Sequence, residues 1–226
     1  FETMSGFTTT GATILDDIES LSHGMLFWRS FSQWIGGLGI VFFTIAVLPI
    51  FGVGNQVLFS AEATGVTHDK IHPKISIMAK WLWTVYLILT VVETVLLLVG
   101  GMDLFDAVCH AFSTTATGGY STKQASVAYW NSPFIEYVIA IFMTLSGVNF
   151  SLYFMCMTGR VKHLFKDEEF RLYLISIGAV TLLITGSLYW HNHYGLEEAF
   201  RKSLFQVASV HTSCGFATDD YNLWAP

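Results

Sequence analysis

The sequence predicts an all-α integral membrane protein built from repeated helix–pore-loop–helix units, and three observations predict it. Charge is scarce and clustered. A short serine-to-glycine frame occurs three times. Each full copy follows a helix too short to cross a bilayer. Of the 226 residues, 53% are hydrophobic and 12% charged, with a mean hydropathy of +0.52. A soluble domain carries roughly 25% charged residues, so a soluble globule is the class this composition excludes.

No Asp, Glu, Lys or Arg occurs from Ser30 to Ala61, from Tyr137 to Gly159 or from Leu172 to Leu196, and Glu93 alone interrupts Trp81 to Met102. A spanning helix needs about 20 mainly apolar residues, so four spans are the minimal expectation. No basic, apolar and small-residue run marks a signal peptide. Cys109, Cys156 and Cys214 are widely spaced, without a metal or redox pattern. Lys70, Lys74 and Lys80 share one connector and Arg160, Lys162, Lys166 and Arg171 another. The positive-inside rule makes both cytoplasmic. The remaining segments hold most of the acids, including Glu2, Asp16, Asp17, Glu19, Asp103, Asp106, Glu136, Glu197, Glu198, Asp219 and Asp220. Facing outward, these would either focus cations or form ordinary solvated loops.

The frame reads Ser5-Gly6-Phe7-Thr8-Thr9-Thr10-Gly11-Ala12, then Ser113-Thr114-Thr115-Ala116-Thr117-Gly118-Gly119-Tyr120, then Ser209-Val210-His211-Thr212-Ser213-Cys214-Gly215-Phe216. A serine stands six positions before each glycine, a hydroxyl residue (Thr9, Thr117, Ser213) two before it. The glycines lie 108 and 96 residues apart (119 − 11 and 215 − 119). Before the second copy, Leu104, Val108, Ala111 and Phe112 share one helical face; before the third, Phe200, Leu204, Val207 and Ala208 do so. Each helix is about 15 residues, or roughly 22 Å, against about 30 Å of hydrocarbon. It enters from outside, stops, and returns through hydroxyl- and glycine-rich chain. Such backbone is tolerated at membrane depth only when buried in protein or lining a wet cavity.

In such a unit the negative end of the short helix aims at the membrane centre. Backbone carbonyls of the extended stretch then replace a cation's water shell. Helix packing through small residues is the alternative use of the three glycines. Gly118 competes with Gly119 for the frame position; the serine frame and the aromatic residue after the glycine, Tyr120 or Phe216, favour Gly119. Further on, Gly37-Leu38-Gly39 and Gly147-Val148-Asn149 recur at mid-span, 26 and 28 residues after Gly11 and Gly119 (37 − 11 and 147 − 119). Gly37, Gly39, Gly147 and Asn149 therefore line the path or pack helices.

These residues lead to a resemblance. Trp28 to Ile40, reading WRSFSQWIGGLGI, and Ala61-Glu62-Ala63-Thr64-Gly65 resemble segments of Trk-type potassium uptake proteins. Residues 8–13, 116–122 and 213–218 resemble their first three filter segments. The chain is similar along its length to the Trk/Ktr/HKT superfamily, nearest to its bacterial TrkH-type membrane subunits. That implies four covalently joined, non-identical units of a potassium-channel-like pore, with potassium as the transported ion and no organic cofactor or enzymatic reaction. It implies a multi-pass protein of the bacterial inner membrane, a homodimer, and a cytoplasmic nucleotide-binding (RCK/KTN-type) regulatory ring, with no nucleic-acid partner. Carried over by position, Gly11, Gly119 and Gly215 are the filter glycines, and Thr8, Thr9, Thr10, Ala116, Thr117, Gly118, Thr212, Ser213 and Cys214 add carbonyls. Potassium is expected at Thr9, Thr10, Thr117, Gly118, Ser213 and Cys214. Related plant transporters that prefer sodium carry serine at the first filter glycine, so glycine at position 11 points to potassium. A sodium-coupled or poorly selective carrier is the alternative.

The implied organisation is the end of unit 1 in residues 1–60, a cytoplasmic connector in 61–74, a complete unit 2 in 75–165 and the first part of unit 3 in 166–226. The inner helix of unit 1, the rest of unit 3 and unit 4 are expected outside the chain. Glu93 is the sole charge inside a span: either an ion or proton site or a structural acid whose carboxyl bonds a neighbour or reaches the outer surface. His110 and His211, beside the pore helices, read as packing donors. Trp28, Trp34, Trp81, Trp83 and Trp190 read as interfacial residues. An intramembrane enzyme using His110, His211 or Cys214 would need them to converge in one cavity.

Overall fold

A computed structural model describes residues 1–47, 75–149, 152–153, 167–191 and 193–224. The expected connector 61–74 lies outside the described residues, as does most of the chain after Asn149 that should complete unit 2. Seven α-helices cover the described chain: α1 Glu2–Phe7, α2 His23–Val47, α3 Ile75–Val99, α4 Leu104–Thr115, α5 Pro133–Ser146, α6 Glu168–His191 and α7 Leu196–His211. Two short 3-10 turns, Ser126–Trp130 and Tyr221–Leu223, follow the second and third glycine segments. Among the described residues there is no strand.

The long and short helices alternate as the units require. α3 and α6 carry stretches long and apolar enough to cross a bilayer, Trp81–Val99 and Glu168–His191, by length and composition. Their outward faces suit lipid: Leu87, Ile88, Val91, Val92 and Val95 on α3 are exposed, as are Leu172, Ile175, Leu182 and Leu183 on α6. The 25 residues of α2 are also long enough to span. By contrast α4 has 12 residues and α7 has 16, or about 18 and 24 Å.

Each short helix packs on its own inner helix, α4 on α3 and α7 on α6, and on the outer helix of the preceding unit, α4 on α2 and α7 on α5. That repeated neighbour relation is the fold's organising rule. Small residues make it possible: Ala107, Ala111, Ala199, Ala208, Ser203 and Ser209 have 0% exposure. In a bilayer, where apolar surface gains nothing by leaving lipid, such close backbone approach supplies the helix-packing energy.

Two start signals are visible. Asp103 caps α4, its carboxylate accepting from Phe105 N–H at 3.1 Å, and Pro133 opens α5 at a position where its missing N–H costs nothing. One stop differs from expectation. Gly147 and Asn149 should lie mid-span, yet α5 ends at Ser146 with Gly147 as its cap. Tyr173 OH donates to the Thr144 carbonyl at 2.9 Å, the acceptor that Val148 N–H would use in a continuing helix, and Val148 N–H bonds Leu145 O instead at 3.1 Å; a Cβ on Gly147 would in addition approach Thr212 Cγ2 to 2.9 Å. The counterpart Gly37 stays inside α2, as expected. A Cβ there would approach Tyr86 OH to 2.6 Å and Ala116 Cβ to 3.1 Å. Tyr86 OH donates to the Trp34 carbonyl at 3.0 Å. Both glycines thus let an outer helix meet the first residue of the next unit's glycine segment. Among the described residues, Gly39 has only Ile35 nearby, at ordinary contact distance.

Candidate functional site

The three glycine segments share one backbone conformation, built from the way each short helix ends. In α1, Thr9 N–H donates to Gly6 O at 2.9 Å and Thr10 N–H to Ser5 O at 3.0 Å. In α4 the same pair is Thr117 to Thr114 at 2.9 Å and Gly118 to Ser113 at 2.8 Å; in α7 it is Ser213 to Val210 at 3.1 Å and Cys214 to Ser209 at 2.8 Å. This is the Schellman helix stop, which needs a left-handed residue just past the cap, usually glycine. Here that residue is Thr9 (φ 52), Thr117 (φ 52) or Ser213 (φ 59). A β-branched residue at positive φ is a genuine outlier, and strain of this kind gathers at functional sites.

Two residues later φ is positive again, at Gly11 (73), Gly119 (72) and Gly215 (90). The residues between, Thr10, Gly118 and Cys214, and the caps Thr8, Ala116 and Thr212, stay outside the positive region. Each segment therefore alternates in the sign of φ over four residues. Gly119, not Gly118, takes the frame position.

The segments also stand side by side. A Cβ at Gly11 would collide with the Gly118 carbonyl oxygen, and a Cβ at Gly119 with the Cys214 carbonyl oxygen. Each glycine thus faces the carbonyl one residue before the next unit's glycine, in the same sense both times. The aromatic residue after the glycine docks backward. Tyr120 OH donates toward Glu2 O and Ala12 O, both at 3.0 Å, and its ring lies 4.1 Å from the Arg29 guanidinium. Phe216, fully buried, stacks on His110 of unit 2 at 5.5 Å.

The frame serine has a role that its spacing alone did not reveal. Ser5 Oγ donates to Ala12 O at 2.7 Å and Ser209 Oγ to Phe216 O at 2.6 Å, latching the chain just past the glycine. Ser113 Oγ, though buried, makes no such bond. Sequence reasoning also passed over Gln33, a fully buried side chain of α2. Its Nε2 donates to Gly118 O at 2.7 Å, and its Oε1 accepts from Tyr120 N–H at 3.2 Å. A lone uncharged amide amid an aromatic-rich helix was the only available signal.

Surrounding charges are largely paired. Arg29 binds Glu2 at 2.8 Å, Arg201 bridges Glu136 and Glu197, and Lys202 joins Glu198 at 3.2 Å and Asp219 at 3.0 Å. The outer acids therefore act first as braces, and Asp16, Asp17 and Asp220 stay exposed. Burial opposes ionisation of Asp219, yet Lys202 and Trp224 hold its carboxyl below the usual carboxylate range.

His110 and His211 do not converge. His110 Nδ1 meets Asp106 O at 2.8 Å and Nε2 meets Ser121 Oγ at 3.0 Å; His211 Nε2 meets Ser176 Oγ at 3.2 Å. Glu93 is fully buried, which excludes a carboxyl reaching the outer surface. It faces the hydroxyls of Thr114 and Thr115, although neither oxygen makes a hydrogen bond of ordinary geometry. Asn149 is half-buried, its carbonyl accepting from Leu152 N–H at 3.0 Å.

Short re-entrant helices ending in paired, strained glycine segments define a membrane protein of the pore-loop class. A model of the TrkH family, described as cation transport protein, matches residues 1–226, and the chain belongs to that family. It is 43% identical over 99% of its length to "Trk system potassium uptake protein TrkH" of Escherichia coli strain K12, covering 47% of that protein. It is 38% identical over 99% of its length to the protein of the same name from Halomonas elongata, again covering 47%. Its fold matches the crystal structure of the potassium transporter TrkH from Vibrio parahaemolyticus with a TM-score of 0.83 and 36% identity, over 99% of this chain and 46% of that one. The chain thus spans about half the length of the curated relatives it matches.

Proposed function

We propose that this chain forms three of the four filter segments of a potassium uptake pore in the inner membrane of a bacterium. One observation carries the reading: the repeated alternation of φ along 8–11, 116–119 and 212–215, in segments standing edge to edge. Non-helical backbone of this kind is tolerated at membrane depth only where it is buried in protein or lines a water-filled cavity, and in such a cavity its carbonyls can coordinate a cation. Carbonyls of Thr8 to Gly11, Ala116 to Gly119 and Thr212 to Gly215 substitute for water around potassium. The short helices add the partial negative charge of their C-termini. Among the described residues a Cβ on Gly215 meets no atom within 4 Å, and this is the side on which the reading seats a fourth segment. Gly37 and Gly147 hold outer helices against Ala116 and Thr212, so their role is packing behind the filter. The lipid bilayer, a second copy of the protein and a cytoplasmic nucleotide-binding ring that gates the path complete the assembly. The relatives' names support transport rather than catalysis.

The test is ion flux through the full-length protein in liposomes. Potassium and rubidium uptake should exceed sodium uptake at least tenfold, and Gly11→Ser should lower that preference. Equal sodium and potassium flux in the wild type would replace the potassium pore with a poorly selective or sodium-coupled carrier.

A further inference from the structure

Gln33 belongs to the first unit but holds the second unit's filter. Its amide spans Gly119: Nε2 donates to the carbonyl before it and Oε1 accepts the N–H after it, at 2.7 and 3.2 Å. Those partners also fix the amide's orientation, since a carbonyl needs the NH2 end and an N–H needs the oxygen. In a planar trans peptide, C=O and N–H point in opposite directions. Tyr120 N–H points at Gln33, so the Gly119 carbonyl points away from α2. Gly118 O points at Gln33, so one of its lone pairs is already committed.

A second observation comes from the repeat. In units 1 and 3 the frame serine latches the carbonyl after the glycine, whereas Ser113 Oγ makes no bond. Gln33 stands four residues before Gly37, and the residue four before Gly147 is Met143, buried but unable to donate. The second segment has thus exchanged a serine latch from its own helix for an amide clamp from its neighbour.

We propose that Gln33 is a positioning residue for ion selectivity, setting the two peptide planes that flank Gly119 so that the Gly119 carbonyl faces the ion and the Gly118 carbonyl beside it, with one lone pair committed to Gln33, is fixed in orientation. This rests on the filter reading above. A carbonyl released from Gln33 would be free to turn, and the cavity it borders would lose its fixed size and field.

The experiment measures the potassium-to-sodium flux ratio of full-length protein in liposomes, a quantity that a lower yield of folded protein does not move. Gln33→Met installs the residue of the equivalent position, and Gly118→Ala attacks the same contact from the filter side, because a Cβ there collides with the Gln33 amide. Each should lower the ratio about tenfold, the scale of one or two lost hydrogen bonds. The double variant should lose little more than either single one, since both break one clamp. A selective wild type with an unchanged ratio in Gln33→Met, or with fully additive losses, overturns the role of Gln33 alone. A wild type without potassium preference overturns the filter reading and this proposal with it.

Discussion

Thr9 and Thr117 occupy a conformation that costs an L-residue about 1–2 kcal/mol, in a place where glycine is the ordinary choice. The strain persists because both neighbours of each threonine are tied to the preceding helix. Thr117→Gly should therefore raise the thermal stability of the protein while loosening the second segment, so that the melting temperature rises as potassium preference falls. A melting temperature that falls would show that the threonine is not strained. Glu93 poses a different question at the same scale. Thr114 Oγ1 gives its proton to His110 O and Thr115 Oγ1 gives its own to Ala111 O, both at 2.8 Å. Among the described residues, the carboxyl that faces them meets acceptors and no cation. A donor serves that place, so Glu93→Gln should leave uptake and ion preference within about twofold, given that an isosteric swap retains the packing. Loss of transport in Glu93→Gln would instead make Glu93 an ion or proton site.

At the scale of elements, the short helices are set by their ends. Removing the cap of α4 with Asp103→Ala should cost about 1 kcal/mol, read as a lower melting temperature with an unchanged ion preference, because the cap lies at the far end from Gly119. The loop after the third segment depends on Asp219, which joins Lys202, Trp224 Nε1 and Tyr194 OH. Its carboxyl ionises below the ordinary value of 3.8. A depressed folded value stabilises above the unfolded one and is lost as pH falls through the folded one. Protection factors for hydrogen exchange in residues 217–224, which remove the intrinsic pH dependence of exchange, should therefore fall below about pH 4 and be low at all pH values in Asp219→Asn. These elements were legible where periodicity and breakers agree: the short helices expected from Asp103 and Leu196 run Leu104–Thr115 and Leu196–His211. The stop at Gly147 was not legible, because it arises from Tyr173 and Thr212, distant in sequence. Nor was the Gln33 clamp, since only the folded chain brings an amide of α2 across Gly119. The serine frame lay between: its spacing was visible, its bond to the carbonyl past the glycine was not.

For the molecule as a whole, order passes from unit to unit in one sense. Outer helices α2 and α5 pack on the next short helices, α4 and α7. Gly37 and Gly147 meet the first residue of the next segment, while Tyr120 and Phe216 dock back on the unit before. A constant rotation between neighbours generates a closed ring when it completes a turn, and the glycine-to-carbonyl contact made in the same sense by Gly11 with Gly118 and by Gly119 with Cys214 is the contact such a ring would repeat. Under the function proposed above, the ring's axis is the ion path. Heavy monovalent cations should mark it: crystals of the full-length protein soaked in thallium or rubidium should show anomalous density at the level of Gly11, Gly119 and Gly215, equidistant from the three segments. Occupancy should fall when sodium replaces the heavy ion. In Gly119→Ala the added Cβ meets the Cys214 carbonyl at a positive φ, so the density there should weaken or split while the helices stay in place. Strong density away from the three glycines, with none between them, would mean that the segments are a packing device and that the ion crosses elsewhere.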